Sequence, residues 1–204
     1  MKTTGIVTGI TSNLVTVQVN GPVAQNEICY IDLAGTNLMA AVIKVTGDKA
    51  FVQVYESTRG MKKGDKVVFE GFMLEATLGP GLLSSSYDGL QNNLETMEGV
   101  FLKRGEYTAP LDDEKLWDFT PIAKVGDQVR ASDWLGEVKE GWLPHKIMVP
   151  FAFEGEYVVK SIVEAGQYKI NDTIAILTDE NNEEKVVTMV QKWPVKVSVG
   201  GYVE

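Results

Sequence analysis

Apolar and polar residues alternate in short segments over the first seventy positions, and turn residues separate the segments. Residues 6–10, 14–19 and 27–32 are rich in β-branched or apolar side chains, which is typical of strands. Residues 41–46 and 50–55 alternate on either side of Gly47-Asp48-Lys49, a pattern that predicts a hairpin. Five or six strands with nothing helical between them predict a small closed barrel.

The segment from Gly71 to Gly99 follows a different pattern. Gly79-Pro80-Gly81 interrupts any regular element, and Ser85 with Asp88 three residues later matches a capping box. Apolar side chains then recur at helical spacing, namely Tyr87, Leu90, Leu94 and Met97. The pattern predicts one short helix of about three turns, ending near Gly99.

From residue 125 to about 190 the pattern again indicates strands. Residues 125–138 and 163–177 form a degenerate internal repeat of a glycine turn, a short strand, an aspartate turn and a second strand. The spacing from glycine to aspartate differs by one residue between the copies. Such a pair is typical of the barrel-sandwich hybrid, the fold of lipoyl and biotinyl carrier domains. We therefore expect a mainly all-β chain, with an N-terminal small β-barrel, one short helix and a second β domain resembling a barrel-sandwich hybrid.

The carrier function has a specific test in the sequence. Carrier domains present a modified lysine at the tip of a hairpin about halfway between the two repeats, followed by an Ala/Val-Pro pair. In carrier domains the lysine precedes this pair at a fixed spacing. Counted back from Val149-Pro150, that position is occupied by Trp142, and neither Lys139 nor Lys146 lies at it. We expect the carrier fold without its swinging arm.

Bulk composition excludes several classes of protein. Hydrophobic residues make up 44% and charged residues 23% of the 204 residues, which is ordinary for a globular protein. The net charge of −9 argues against nucleic-acid binding, which favours a basic face. No apolar run approaches the about 18 residues of a membrane span, and we expect no signal peptide because residues 1–5 lead straight into a strand pattern. A single cysteine, Cys29, leaves no intramolecular disulfide, so we expect a reducing, cytoplasmic setting.

Motifs for nucleotide chemistry are missing from the sequence. A P-loop requires Gly-x-x-x-x-Gly-Lys-Ser/Thr, and Gly79-Pro80-Gly81 has no lysine behind it and loses one amide at the proline. A rigid turn leading into the helix is the better interpretation. His145 is the only histidine, so a serine triad would have to use it, but the candidates Ser84, Ser85 and Ser86 lack a Gly-x-Ser-x-Gly elbow.

Two charged clusters have simple structural interpretations. Asp112-Asp113-Glu114 lacks the spacing of an EF-hand loop, and a solvated helix start before Lys115 is favoured over a cation site. Lys62, Lys63 and Lys66 lie beside glycines and are explained by a turn. We assign no catalytic, cofactor-binding or metal-binding residue to this chain, and we expect Trp117 and Phe119 to be core residues.

Several motifs follow one another along nearly the whole chain. They are residues 47–56 with Thr58 and Gly60, residues 78–83 with 87–91, Arg104-Gly105, the alternating residues Trp117, Phe119 and Pro121, and residues 125–127, 135–138, 145–150 and 191–195. Together they resemble the N-terminal region of the catalytic A subunit of V/A-type rotary ATPases and ATP synthases. The chain departs from that family at residues 91–94, where Arg-Pro is more common before the leucine, and at residues 198–202.

The resemblance implies a domain division. Residues 1–70 would be the N-terminal β-barrel, and residues 71–109 a linker with the short helix. Residues 110–190 would be the inserted bulge domain. Residues 191–204 would begin the strand that leads into a nucleotide-binding domain absent from this sequence.

The resemblance also implies a function for the parent subunit, which couples ATP hydrolysis or synthesis to proton or sodium transport. ATP and Mg²⁺ would be bound by the parent outside this region, with no cofactor in the region itself. The expected partners are B subunits and other A subunits of the catalytic ring, and the peripheral stalk through the bulge. No nucleic acid is expected, and contact with the membrane would be indirect, through the complex. A stand-alone β-rich binding or carrier-like module remains the alternative, with a serine hydrolase using His145 as a third class.

Overall fold

The computed structural model describes residues 2–83, 85–97 and 103–199. Within these ranges the chain forms 16 strands and no helix. No segment of the described ranges forms a helix of the length and apolarity that crossing a membrane requires. The chain divides into two compact units, one of residues 1–75, 98–107 and 194–196, the other of residues 76–97, 108–193 and 197–204.

The first unit is a closed antiparallel barrel with the strand order β1-β2-β5-β4-β3-β6. Its strands are β1 (Thr4–Thr11), β2 (Leu14–Val19), β3 (Glu27–Leu33), β4 (Thr36–Thr46), β5 (Lys49–Val54) and β6 (Lys66–Met73). Gly47, with a φ of +60°, opens the two-residue turn between β4 and β5. The predicted barrel and the predicted hairpin are both confirmed.

Alternation along the strands produces the barrel core. On β2, Val15, Val17 and Val19 face inward and are buried, while the residues between them are not. The pairing register shifts between Val7 and Gly9 on β1 and between Val42 and Lys44 on β4. Such bulges increase strand twist, which a small barrel needs to close.

The buried carboxylate of Glu27 joins two segments of the barrel by hydrogen bonds. Glu27 accepts hydrogen bonds from the backbone N–H of Ala24 at 2.8 Å and of Gly71 at 2.7 Å. The side chain of Cys29 is buried two residues later on the same strand. Burial, and secondly the charge of Glu27, raise the pKa of the Cys29 thiol to about 12.

The predicted helix after Gly81 is wrong. Residues 85–97 form turns with one isolated bridge between Tyr87 and Asn93; Ser84 and Gly99 lie outside the described residues. The Asp88 carboxylate accepts the backbone N–H groups of Leu90 and Asn92, so it closes a local loop that competes with a helix. Gln91 has a φ of +62°, which is incompatible with a right-handed helix. Partial burial alone would raise the pKa of Asp88, but hydrogen bonds from Asn92 and Leu90 outweigh it and hold that pKa below its usual value.

The second unit contains two four-stranded sheets, with the orders β11-β10-β8-β13 and β15-β14-β12-β9. The strands are β8 (Leu116–Pro121), β9 (Gln128–Arg130), β10 (Trp134–Glu140), β11 (Leu143–Met148), β12 (Glu156–Ile162), β13 (Gly166–Lys169), β14 (Ala175–Thr178) and β15 (Glu184–Val187). The two sheets are related by an internal repeat, in which β8, β9, β10 and β11 correspond to β12, β13, β14 and β15. Strand β9 of the first repeat pairs in the sheet of the second, and β13 of the second repeat pairs in the sheet of the first. This internal symmetry confirms the predicted barrel-sandwich hybrid. Two further strands, β7 (Glu75–Leu78) and β16 (Gln191–Pro194), pair with each other.

The repeat is most exact at its aspartate turns. Asp133 accepts the backbone N–H of Arg130 at 2.9 Å, and Asp172 accepts that of Lys169 at 2.8 Å. The repeated glycines differ: Gly126 forms a turn with a φ of +94°, whereas Gly166 begins β13 opposite Phe119. Since the aspartate turns are equivalent and the glycines are not, the spacing from glycine to aspartate can differ by one residue between the two copies.

Trp117 and Phe119 lie in the core of the second unit, as predicted, with Trp117 only 6% exposed. Phe119 packs so closely on Gly136 that a Cβ there would come within 2.3 Å of its ring. The acidic run before β8 does not begin a helix: Asp112 accepts the N–H groups of Glu114 and Lys115 in a turn that leads directly into the strand. That prediction is therefore wrong, because alternation from Leu116 onward has period two rather than helical spacing.

Candidate functional site

The β10–β11 hairpin of the second unit carries four of the residues that the sequence singled out, namely Lys139, Trp142, His145 and Lys146. Its strands pair from Trp134 with Met148 to Glu140 with Leu143, which leaves Gly141 and Trp142 as the connecting turn. Gly141 has a φ of +59°, the left-handed conformation that such a turn requires at its first position. Trp142, in the position of the carrier lysine, is 85% exposed at the tip.

Directly before this turn, β10 places a carboxylate in the interior. Val138 and Glu140 share the inward face of the strand, and Glu140 is only 4% exposed. Burying a carboxylate is costly unless its oxygens accept hydrogen bonds. Oε1 accepts the backbone N–H of Gly81 at 2.7 Å and that of Leu83 at 3.1 Å. Oε2 lies 2.6 Å from Nδ1 of His145, so both oxygens are satisfied.

These contacts give the Gly79-Pro80-Gly81 segment a structural role. Its turn places two backbone amides around one oxygen of Glu140, in the way that amides elsewhere surround phosphate. Gly81 has a φ of +107°, which favours glycine. The predicted rigid turn is present, although it leads into the loop described above rather than a helix.

His145, the only histidine, lies on β11 opposite Val138 and is partly shielded from solvent. Its Nδ1 contacts Glu140, which lies two residues beyond Val138 on the facing strand. Of the three serines considered, Ser85 donates its hydroxyl to the carbonyl of Gly81 at 3.2 Å. Ser84 lies outside the described residues. The geometry therefore joins His145 and Glu140 as a structural link between hairpin and loop.

The remaining candidate residues lie apart from this link. Lys62 and Asp65 form a turn before β6, with the Lys62 N–H donating to the Asp65 carboxylate at 2.7 Å. Within residues 2–83, 85–97 and 103–199, no three acidic, histidine or cysteine side chains cluster as metal ligands. Lys146 pairs with Glu137 and lies 4.8 Å from the centroid of the Trp134 ring.

Two cavities border the link between loop and hairpin. One, of about 470 Å³, is lined by residues that include Pro80, Gly81, Trp117, Lys139 and Glu140. The other, of about 240 Å³, is lined by residues that include Leu82, His145, Ile147, Phe151 and Met189. Glu140 belongs to none of the sequence motifs that predicted chemistry. Its position two residues after Val138, on the inward face of an alternating strand, was the available signal.

Comparison with protein-family models gives two matches. Residues 5–71 match the β-barrel domain of the ATP synthase alpha/beta family. Residues 108–196 match the barrel-sandwich domain of the ATP synthase alpha/beta subunits. The two matches cover the barrel and the two-sheet sandwich described above.

Individual relatives match over the full chain. A V-type ATP synthase alpha chain of Borrelia garinii subsp. bavariensis is 45% identical over 207 aligned residues, covering 100% of this chain and 36% of the relative. The protein of the same name from Treponema denticola is 45% identical over 206 residues, covering 100% of this chain and 35% of the relative. The one from Borreliella burgdorferi is 44% identical over 207 residues, covering 100% and 36%. The chain thus spans about a third of the length of these relatives.

Proposed function

The chain belongs to the ATP synthase alpha/beta family, where it matches the N-terminal region of V-type alpha chains, and on that premise we propose that it is the assembly part of the catalytic A subunit. The parent would couple ATP hydrolysis or synthesis to proton or sodium transport. The observation that carries the proposal is the 45% identity extending over both the barrel and the sandwich.

The barrel is the unit we assign to the catalytic ring of alternating A and B subunits. Because the barrel is closed, each strand pairs its backbone N–H and C=O groups with neighbouring strands. The barrel therefore presents side chains, and no open strand edge, to neighbouring subunits. Several large apolar side chains remain exposed on it, namely Ile6, Leu14, Ile43, Tyr55 and Phe72. In this proposal the neighbouring subunits of the ring cover these side chains and remove their apolar surface from water.

The sandwich is the unit we assign to the bulge, with the peripheral stalk as its partner. In the sandwich, Glu140 attaches the β10–β11 hairpin to the Gly81–Leu83 loop. A protruding element transmits force only if it is fixed to its base, and this buried link supplies the attachment. The assignment of the sandwich to the peripheral stalk is therefore supported by the attachment of the hairpin to the loop, and it involves no reactive group.

Nucleotide chemistry belongs, in this proposal, to the other two thirds of the parent. ATP and Mg²⁺ would bind there, and this region would carry no catalytic, cofactor or metal residue. The subunit would sit in the cytoplasm, peripheral to the membrane-bound part of the complex, and would contact neither nucleic acid nor lipid directly.

The ring assignment can be tested in the full-length alpha chain co-produced with the beta chain. Introducing a charge on the barrel, as Ile43→Asp with Phe72→Asp, should reduce the alternating ring measured by native mass spectrometry. The control is Val186→Asp, at an exposed apolar residue on β15 of the sandwich, which should leave the ring intact. Rings that form equally well in all three proteins would contradict the assignment.

A further inference from the structure

Residues 103–107 lie against the barrel and are attached to it by hydrogen bonds. The carboxylate of Glu56 accepts the backbone N–H of Gly105 at 2.8 Å and the hydroxyl of Tyr107 at 2.7 Å. A Cβ on Gly105 would come within 2.3 Å of the Thr36 side chain, so the backbone approaches β4 closely there. The backbone of this segment therefore has a fixed position on the barrel.

The guanidinium of Arg104, in the middle of this segment, has one edge without hydrogen bonds. Nη1 donates to the backbone carbonyl of Arg59 at 2.7 Å. Nε and Nη2 share one edge of the planar group; both are buried, and neither has a partner within residues 2–83, 85–97 and 103–199. Burying donors of a charged group without acceptors is costly. The edge therefore requires an acceptor that this part of the chain does not supply.

Arg104 also lines a cavity of about 780 Å³ in the first unit. Sites for small ligands have volumes of about 300 to 1,000 Å³, so the cavity is large enough for one. Tyr30 and Tyr107 form one side of it, with ring centroids 6.4 Å apart and an interplanar angle of 74°. Asn37, at the start of β4, lies on its lining as well. The guanidinium is thus placed beside a space that a ligand can enter.

The charges around this cavity are balanced. Glu70 pairs with Lys2, and the carboxylate of Glu106 lies 4.0 Å from the ammonium of Lys103. Carboxylates and cations are equal in number here, namely Glu56, Glu70 and Glu106 against Lys2, Lys103 and Arg104. No excess of positive charge attracts a polyanion, so the unpaired donors decide which ligand fits.

We propose that this cavity binds a carboxylate, whose two oxygens accept hydrogen bonds from Nε and Nη2 of Arg104. Two parallel N–H groups on one edge of a guanidinium match the two oxygens of a carboxylate. A single carbonyl oxygen matches them less well, and a phosphate dianion would bring excess negative charge. Because the edge is buried, binding includes a rotation of the long Arg104 side chain toward the cavity. This inference goes beyond the proposed function and does not depend on it.

The direct test is NMR of the arginine side-chain N–H groups in the 204-residue chain, which has two other arginines, Arg59 and Arg130. Acetate, added at constant ionic strength, should shift the Nε–H resonance of Arg104 and saturate with a Kd of about 1 to 20 mM. Arg59 and Arg130 are exposed and serve as controls whose resonances should not saturate. Acetamide and inorganic phosphate should not reproduce the shift. An Arg104 response no larger than that of the controls, or equal with acetamide or phosphate, would overturn the proposal.

A variant separates the paired donors from the charge. Arg104→Lys keeps a positive charge but presents a single ammonium, so acetate should bind about tenfold more weakly. The backbone amide resonance of Gly105 reports binding in both proteins. Lys103→Gln removes the neighbouring exposed cation and should change the affinity less than about twofold. Equal affinity in the wild type and Arg104→Lys would refute the role of the guanidinium edge. The titration of the wild type is decisive even if a variant does not fold.

A second experiment identifies the source of the carboxylate. The photo-crosslinker p-benzoylphenylalanine is placed at position 37 of the full-length alpha chain assembled with the beta chain, with position 48, beyond the other end of β4, as control. A cross-link to an acidic segment of a neighbouring chain from position 37 alone assigns the carboxylate to that chain. Saturable acetate binding without such a cross-link assigns it to a small molecule. A cross-link only to a segment without acidic residues would contradict the proposal. Failure of the wild-type ring to form would count against the proposed function, and the acetate titration would still decide this inference.

Discussion

Oε2 of Glu140 lies 2.6 Å from Nδ1 of His145, with one residue on each strand of the same hairpin. The other carboxylate oxygen accepts the N–H groups of Gly81 and Leu83, which are more than fifty residues away in sequence. One buried side chain therefore joins three segments of the sandwich. Since a buried carboxylate without partners is costly, the loop and the hairpin stabilise each other's position.

Glu140→Ala removes the buried acceptor of two backbone amides and of the His145 contact, and should lower the free energy of unfolding of the sandwich by about 2 to 4 kcal/mol. Urea denaturation followed by circular dichroism measures the loss, and amide exchange should accelerate at Gly81 and Leu83. Glu137→Ala on the same strand is the control: it breaks a partly exposed pair with Lys146 and should cost less than about 1 kcal/mol. Equal losses in the two variants would show that the buried link is unimportant.

Trp117→Ala should destabilise the sandwich by about 3 to 5 kcal/mol, because it removes a buried aromatic side chain from the core. Trp142→Ala removes the same side chain from an exposed turn and should change stability by less than about 0.5 kcal/mol. Denaturant titration of the two variants tests both values. A cost below about 1 kcal/mol for Trp117→Ala would mean that the site is not part of a packed core.

The part of this fold that was predictable from sequence is the part set by local periodicity. Alternation around Gly47 located the β4–β5 hairpin, and the repeated aspartate turns indicated the sandwich. The helix at residues 85–97 was predicted wrongly because apolar spacing was weighed above the Asp88 side chain, which closes a loop of its own. The role of Glu140 was not accessible in this way, because its partners in the Gly81 loop are distant in sequence and contribute only backbone amides.

Cys29 should make stability depend on pH in the alkaline range. Its pKa is raised from 9.0 to about 12 in the folded protein. Above about pH 9 the unfolded thiol therefore loses its proton while the folded thiol keeps it, so stability falls as pH rises, by up to about 1.4 kcal/mol per pH unit from this group. The difference in unfolding free energy between the wild type and Cys29→Ala should accordingly shrink from pH 9 to 11. A difference that stays constant would show that the thiol titrates normally.

The two units should unfold separately. The barrel has its own buried cluster, which includes Val15, Val17 and Phe69, and the sandwich has clusters of its own around Leu135 and Phe119. Differential scanning calorimetry of the chain should then show two transitions, and residues 76–193, which keep the Gly81–Leu83 loop with the sandwich, should fold when produced alone. A single transition with equal calorimetric and van't Hoff enthalpies, or an unfolded 76–193 segment by circular dichroism, would contradict this division.

The central claim, that this region serves assembly while nucleotide chemistry belongs to the rest of the parent subunit, is tested most directly by calorimetric titration of Mg-ATP. The amides of Gly81 and Leu83, in the glycine-rich turn, are already occupied by the Glu140 carboxylate. The account predicts no binding heat from the 204-residue chain, and a one-to-one site in the full-length alpha chain under the same conditions. A stoichiometric site of micromolar affinity in the 204-residue chain itself would contradict it.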